Sequence, residues 1–221
     1  MTEKREVVAV RHMTQADIGQ VVDLQERVYP GMGLSGERFE RQLAVFPQGQ
    51  LVARIGTRLV GMASSLIVRW DDWGLRHTWR EVTAQGSFET HSPQGRTLYG
   101  AEVLSDPDLR RAGVGKKLYQ GRRRVCRALN LRRIIACGRM PGYHRHAATL
   151  SPEEYAMRVI WGDLVDPVML FQMNEGFRYC GVVHGYLPSD AESGGNATVI
   201  VWLNDRYRAD QPTRAPEGPI L

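Results

Sequence analysis

The chain has 221 residues, of which 43% are hydrophobic and 24% charged, with a formal net charge of +5. This is ample for a continuous core, and no stretch approaches the roughly 18 apolar residues needed to cross a bilayer, which excludes a disordered or a membrane-spanning chain. Cys126, Cys137 and Cys180 form no Cys-x-x-Cys pair and read as buried reduced thiols, not a disulfide or zinc framework. With no apolar leader at the N-terminus, a cytoplasmic location is expected. His144-x-His146 has no third ligand nearby, so no metal is expected.

Residues 7–12 alternate enough to predict a first strand. Thr14 caps a predicted helix whose inner face runs through Ile18, Val21, Val22, Gln25 and Val28 and stops at Pro30. A second helix is predicted over 36–45, opening after Ser35 and ending near Pro47. Residues 50–55 and 58–68 read as two strands of a hairpin turning at Gly56-Thr57. Between 69 and 96 lies an insertion with Trp70, Trp73, Trp79, His77, Asp71, Asp72, Glu81 and Glu89. It reads either as the lining of a pocket for a cationic acceptor or as a surface excursion packed by its own tryptophans.

Residues 97–104 are β-branched, aromatic or aliphatic apart from Gly100 and Glu102, as in a largely buried strand. Ser105-Asp106-Pro107-Asp108 ends it, and Arg110-x-x-Gly113-x-Gly115 runs straight into a helical pattern. Val114, Leu118, Gly121, Val125 and Leu129 make its core stripe, with Lys116, Gln120, Arg123, Arg124 and Arg127 opposite; residues 132–140 make the next strand. A glycine turn at a helix start presents main-chain N–H groups and the positive end of the helix dipole, a site suited to phosphate. The dinucleotide fingerprint is disfavoured because Leu118 stands where its third glycine belongs, and the P-loop because Lys117 follows Lys116. From 109 to 152 there are twelve basic residues and no acidic one, while the rest of the chain has 17 basic against 24 acidic, net −7. Such a local excess either attracts a cofactor rich in phosphates or is an arginine-rich solvated helix face.

A second excursion, 141–166, contains a helix starting near Ser151-Pro152-Glu153-Glu154, with Ser151 as N-cap and Pro152 as first helical residue. Residues 167–177 form a further helix and turn, and 177–186 and 196–203 supply the last two strands. From Arg206 the chain is rich in Pro, Arg and Asp and is expected to be poorly ordered.

The strand, the Asp-Pro turn, the spaced arginine and glycines and the helix resemble the acetyl-CoA signature of the GNAT superfamily of N-acetyltransferases, Arg/Gln-x-x-Gly-x-Gly/Ala. The resemblance covers residues 7–205 and is closest to the GNAT domain that precedes a carbon-nitrogen hydrolase in some bacterial proteins. Phe46-Pro47-Gln48-Gly49, Ser64-Ser65-Leu66-Ile67-Val68, His77-Thr78-Trp79, Leu98-Tyr99-Gly100, Arg139-Met140-Pro141-Gly142-Tyr143-His144 and Tyr186-Leu187-Pro188 carry it. With only Lys4 besides Lys116 and Lys117, a hydrolase that needs a Glu-Lys-Cys set is not expected here. The resemblance implies an α/β (α+β) GNAT fold, a mixed, mostly antiparallel sheet of about seven strands flanked by helices and splayed at the cofactor strand pair. One domain over 1–205 and a tail over 206–221 follow from it, with a homodimer as the family expectation.

The resemblance also implies acetyl-CoA as co-substrate and direct attack on its thioester by a primary amine of a small molecule or peptide. Main-chain groups of Val103, Leu104 and Ser105 are expected on the pantetheine, and those of Arg110, Arg111, Ala112, Gly113, Val114, Gly115 and Lys116 on the diphosphate; Asn174, in the helix-Gly-Phe block, joins the cofactor set. Glu102, a carboxylate in an apolar strand beside the expected thioester, is the candidate base, its other reading being a structural carboxylate paired with an arginine. Many members carry a Tyr four residues before the Gly of the Gly-Phe block, where it protonates the thiolate; here that residue is Gln172, an amide, which is not an acid. Either water or another residue, by location Tyr143, Tyr155 or His144, then helps the thiolate leave, or the protein is catalytically weak. The alternative function is a CoA-binding module that has lost transfer, and nucleic-acid binding is disfavoured because the basic face is assigned to the cofactor.

Overall fold

In a computed structural model, residues 7–109, 112–214 and 220–221 are described. Strands β1 (Ala9–His12), β2 (Leu51–Ile55), β3 (Arg58–Val68), β4 (Thr97–Ser105), β5 (Arg133–Gly138), β6 (Arg178–Val183) and β7 (Ala197–Leu203) make a single sheet in the order β1-β2-β3-β4-β5-β7-β6. Every neighbouring pair is antiparallel except β4 and β5. That exception needs a crossover, and α4 (Val114–Ala128) supplies it.

Alternation along β3 decides which layer meets which face. Ala63 and Ile67 pack with Val114, Leu118 and Val125 of α4. Met62 faces Val21 and Leu24 of α1 (Ile18–Val28) and Phe39 of α2 (Gly36–Val45). Leu66 and Val68 meet Val82 and Phe88 of the insertion, whose one helical turn is α3 (Trp79–Val82). A sheet covered on both faces is why β3 after Arg58 and the first half of β4 are continuously buried. The insertion is therefore part of the core layer. Trp70, Trp73 and Trp79 pack against the sheet, while Asp71, Asp72, Glu81 and Glu89 are exposed, so these aromatics and carboxylates do not share a pocket.

Helix α5 (Pro152–Trp161) opens with Ser151, whose hydroxyl accepts from the Glu154 N–H while the Glu154 carboxylate accepts from the Ser151 N–H. Asp166 caps α6 (Pro167–Asn174), accepting from the N–H groups of Val168 and Met169. The tail departs from expectation. Over residues 206–214 it is tied down: the Asn130 amide donates to the carbonyls of Arg208, Gln211 and Pro212, and the Arg214 N–H donates to Leu129. Composition missed this because the partners are main-chain groups. Residues 215–219, and the first six, lie outside the described residues. Among the described residues no helix is long and apolar enough to cross a membrane.

One buried carboxylate pins the first strand. Asp17 accepts from Arg11 at 2.7 Å through both oxygens, from Arg54 at 2.9 Å and from the Thr14 N–H at 2.9 Å. Burial pushes its pKa up, but the Arg11 and Thr14 bonds prevail and hold it at about 2. A depressed folded pKa contributes stability that is present above the unfolded value and lost as pH falls through the folded one. Asp17→Asn is expected to cost about 3 kcal/mol at neutral pH, and to flatten the acid loss of stability between about pH 4 and pH 2, both read by urea unfolding.

Candidate active site

β4 and β5 run side by side only from Thr97↔Arg133 to Gly100↔Ala136. Beyond that pair β5 continues against β7 alone, and β4 against β3 alone. The parting coincides with a bulge: Ser65 pairs with Gly100 and Ser64 with Glu102, leaving Ala101 without a partner on β3. An extra residue in one strand bends it, and here the bend opens a wedge between 101–105 and 137–138. The vertex is tight, since a Cβ on Gly100 would lie 3.0 Å from Arg122 Nη1 and 3.2 Å from the Ala136 Cβ.

Past the bulge, Glu102 turns its side chain toward α1. Its Oε1 accepts from Gln25 Nε2 at 2.8 Å, and Gln25 Oε1 is fixed in turn by the Leu34 N–H at 2.8 Å. Oε2 is buried with no partner among the described residues. Burial raises the Glu102 pKa to about 7, against the lowering effects of the Gln25 bond and the Arg122 charge. A carboxylate with one anchored oxygen, one vacant oxygen and a pKa near neutrality is equipped to take a proton.

At the other end of the wedge, Gly113 adopts φ +78°, ψ 14°, with open space where its Cβ would be. The left-handed conformation, and not crowding, is what calls for glycine there. Among the described residues no acceptor meets the N–H groups of Gly113, Val114, Gly115 or Lys116, and the first turn of α4 has no acidic residue. A Cβ on Gly115 would come within 3.1 Å of the Phe171 ring, so that glycine lets α6 pack close. The preceding turn is anchored by Asp106, which is buried, pairs with Arg58 and Arg27 at 2.6 and 3.2 Å and accepts from the Asp108 N–H.

The sequence model of the acetyltransferase (GNAT) family matches residues 19–148. The chain belongs to the GNAT acetyltransferase family. It is 31% identical over 210 residues to an uncharacterized N-acetyltransferase, YkwB, of Bacillus subtilis, covering 93% of this chain and 92% of that one. It is 35% identical over 215 residues to a probable hydrolase, YhcX, of the same organism, covering 97% of this chain but 42% of that relative's length. The structure of GphF, a GNAT-like decarboxylase in complex with isobutyryl-CoA, superposes with a TM-score of 0.78 at 22% identity, covering 89% of this chain and 99% of that one. The seven-stranded, mostly antiparallel sheet splayed at β4 and β5 is the GNAT fold that the resemblance implied.

Within this GNAT domain the expected site residues divide. Val103, Leu104 and Ser105 line the β4 side of the wedge, with Ser105 exposed, and Ala112 and Lys116 are exposed beside Gly113. Arg110 and Arg111 lie outside the described residues. Asn174 is exposed at the end of α6. Of the arginines expected on the cofactor face, Arg123 is spent on Glu175, and Arg127 pairs with Asp205 over the Trp202 ring. The Tyr143 hydroxyl donates to the Leu150 carbonyl at 3.1 Å, and its ring packs with Met140 and Tyr155. Tyr155 donates to Asp166, and His144 rests on the Pro141 carbonyl. Gln172 is buried against Gly138, and its Nε2 donates to Tyr119 Oη at 3.4 Å, which brings a phenol to that position from α4.

Sequence reading missed Arg122, and it named Trp79 and His77 without the contacts they make. Trp79 Nε1 donates to the Ala101 carbonyl at 3.0 Å, and buried Arg122 reaches the bulge from α4. A third group, His77, lies 3.0 Å from Tyr99 Oη, which donates to Cys137 Sγ at 3.3 Å and meets Tyr186 Oη at 2.8 Å. Burial pushes the Cys137 thiol to about 12, so it is protonated at neutral pH and serves as packing. The spacing 118, 122, 125 on α4 was the available signal for Arg122, since it places an arginine on the core stripe.

Because the folded pKa of Glu102 is raised, folding is favoured most below the unfolded carboxylate value and loses that advantage as pH rises through about 7. Glu102→Gln removes this titration. Its stability relative to the wild type is expected to climb from about pH 4.5 to pH 7 and then level off, as measured by denaturant unfolding across pH.

Proposed function

We propose that this domain transfers an acetyl group from acetyl-CoA to the primary amine of a small molecule or peptide, with Glu102 as the base. The observation that carries the reading is the vacant, buried Glu102 Oε2 beside the wedge between β4 and β5. Acetyl-CoA supplies a thioester carbonyl already activated toward an amine. The chain does the rest. Main-chain groups of residues 103–105 and the N–H groups of Gly113 to Lys116, which meet no acceptor among the described residues, offer partners for the pantetheine and diphosphate, with Lys116 and Lys117 exposed nearby for phosphate charge. Glu102 Oε2 accepts a proton from the ammonium, leaving its nitrogen lone pair free for attack at the carbonyl carbon. As the C–S bond breaks, the thiolate takes up a proton and the amide nitrogen sheds its second one; Tyr119, whose oxygen accepts from Gln172, is the phenol that would donate the first and recover the second. Among the described residues no group of three or more His, Cys, Asp or Glu is placed to hold a metal ion. Three free thiols support a reducing compartment, and the cytoplasm is the proposed location.

A second reading, a CoA-binding module without transfer, rests on Gln172 replacing the acid that many relatives carry. Acetyl-CoA incubated with a panel of polyamines, amino acids and peptides separates the two readings by mass spectrometry of products. On the transferase reading, Glu102→Gln lowers kcat by about 10²- to 10⁴-fold with CoA affinity little changed, and the wild-type rate rises with pH through about 7. CoA binding with no product from any amine would favour the module instead. Full activity in Glu102→Gln would remove Glu102 from the mechanism.

A further inference from the structure

Arg122 is 2% exposed and, among the described residues, has no carboxylate as a hydrogen-bond partner. Burying a guanidinium is costly unless its donors are met, and replacement by an apolar residue is often tolerated or stabilising in such places. Its partners are therefore informative. Nε donates to Ser65 Oγ at 2.9 Å, and Nη2 donates to the Ser64 carbonyl at 3.0 Å and to the Glu102 carbonyl. Ser64, Ser65 and Glu102 are the residues that flank the register shift in the β3–β4 ladder. A bulge strands main-chain carbonyls that a regular ladder would satisfy, at about 1–3 kcal/mol for each one left buried and unmet. Trp79 meets Ala101 from the other face of the sheet.

We infer that Arg122 is a positioning residue: its planar fork clamps β3 to β4 across the bulge, holds β4 away from β5, and so fixes both the width of the CoA wedge and the place of Glu102. Gly100 is the complement of this clamp, since a side chain there would meet Nη1. Lysine cannot reproduce the fork, because an ammonium is a point donor without the planar geometry that reaches three acceptors on two strands. The groups facing the Glu102 carboxyl are Gln25 from α1 and the Arg122 charge from α4, so Arg122 also favours the ionised carboxylate. This inference rests on the proposal that the wedge binds CoA.

Two variants test it, Arg122→Lys and Arg122→Gln, with folding checked by circular dichroism and thermal melting. CoA affinity is measured by calorimetry, and Glu102 titration by carbon-13 NMR of glutamate-labelled protein, assigned with Glu102→Gln. Both variants are expected to weaken CoA by about tenfold. Only Arg122→Gln is expected to raise the Glu102 midpoint, by about one pH unit, because Arg122→Lys keeps the charge. A lower melting temperature with unchanged CoA affinity and unchanged titration would reduce Arg122 to core filling and overturn the inference. If Arg122→Gln does not fold, wild-type CoA affinity in Arg122→Lys overturns it alone. Wild-type protein that binds no CoA would instead remove the proposal beneath it, a result distinguishable from either variant's.

Discussion

The parting of β4 from β5 after Gly100 and Ala136 is the constraint on which the rest of the site depends. Parallel neighbours in a sheet normally stay paired, because each lost ladder bond exposes a donor or an acceptor. Here the separation is sustained by a one-residue bulge whose carbonyls are met by side chains from both layers, Trp79 on one face and Arg122 on the other. The same bend turns Glu102 toward α1, where Gln25 holds one carboxylate oxygen. Wedge and candidate base thus share one backbone irregularity.

Electrostatics follow the same division. The chain's positive excess is concentrated between 109 and 152, yet much of it is structural: Arg122 is inside, while Arg123 and Arg127 bind Glu175 and Asp205 from the C-terminal part of the chain. Among the described residues, Lys116 and Lys117 are exposed beside the glycine turn, close to main-chain N–H groups that meet no acceptor there. Conversely, the low-dielectric side of the wedge keeps Glu102 near neutrality in pKa, which a solvated carboxylate would not reach.

Much of this was legible in the sequence wherever the signal is local. The hairpin at Gly56-Thr57, α2 at Gly36–Val45, the Ser151 cap and the Gly113 turn are set by periodicity, capping chemistry and a positive φ, all readable from neighbouring residues. What was not legible depends on which distant segments meet. Trp79 bonds a strand 22 residues away, Arg122 bonds Ser64 at a separation of 58, and the tail's order rests on main-chain carbonyls captured by Asn130. Tyr143 is a second case, since closeness in sequence to the end of β5 could not reveal that its hydroxyl donates to the Leu150 carbonyl. Charge patterning on α4 misled for a related reason: a basic stripe in sequence does not reveal that acidic partners arrive from the turns after β7 and α6.

The most direct measurement is a crystal structure of the protein with CoA bound. The pantetheine is expected in the wedge between 101–105 and 137–138, with the diphosphate on the N–H groups of Gly113 to Lys116 and the thiol on the same side as the free oxygen of Glu102. CoA bound away from the wedge, or β4 and β5 closed against each other in its presence, would contradict the central claim.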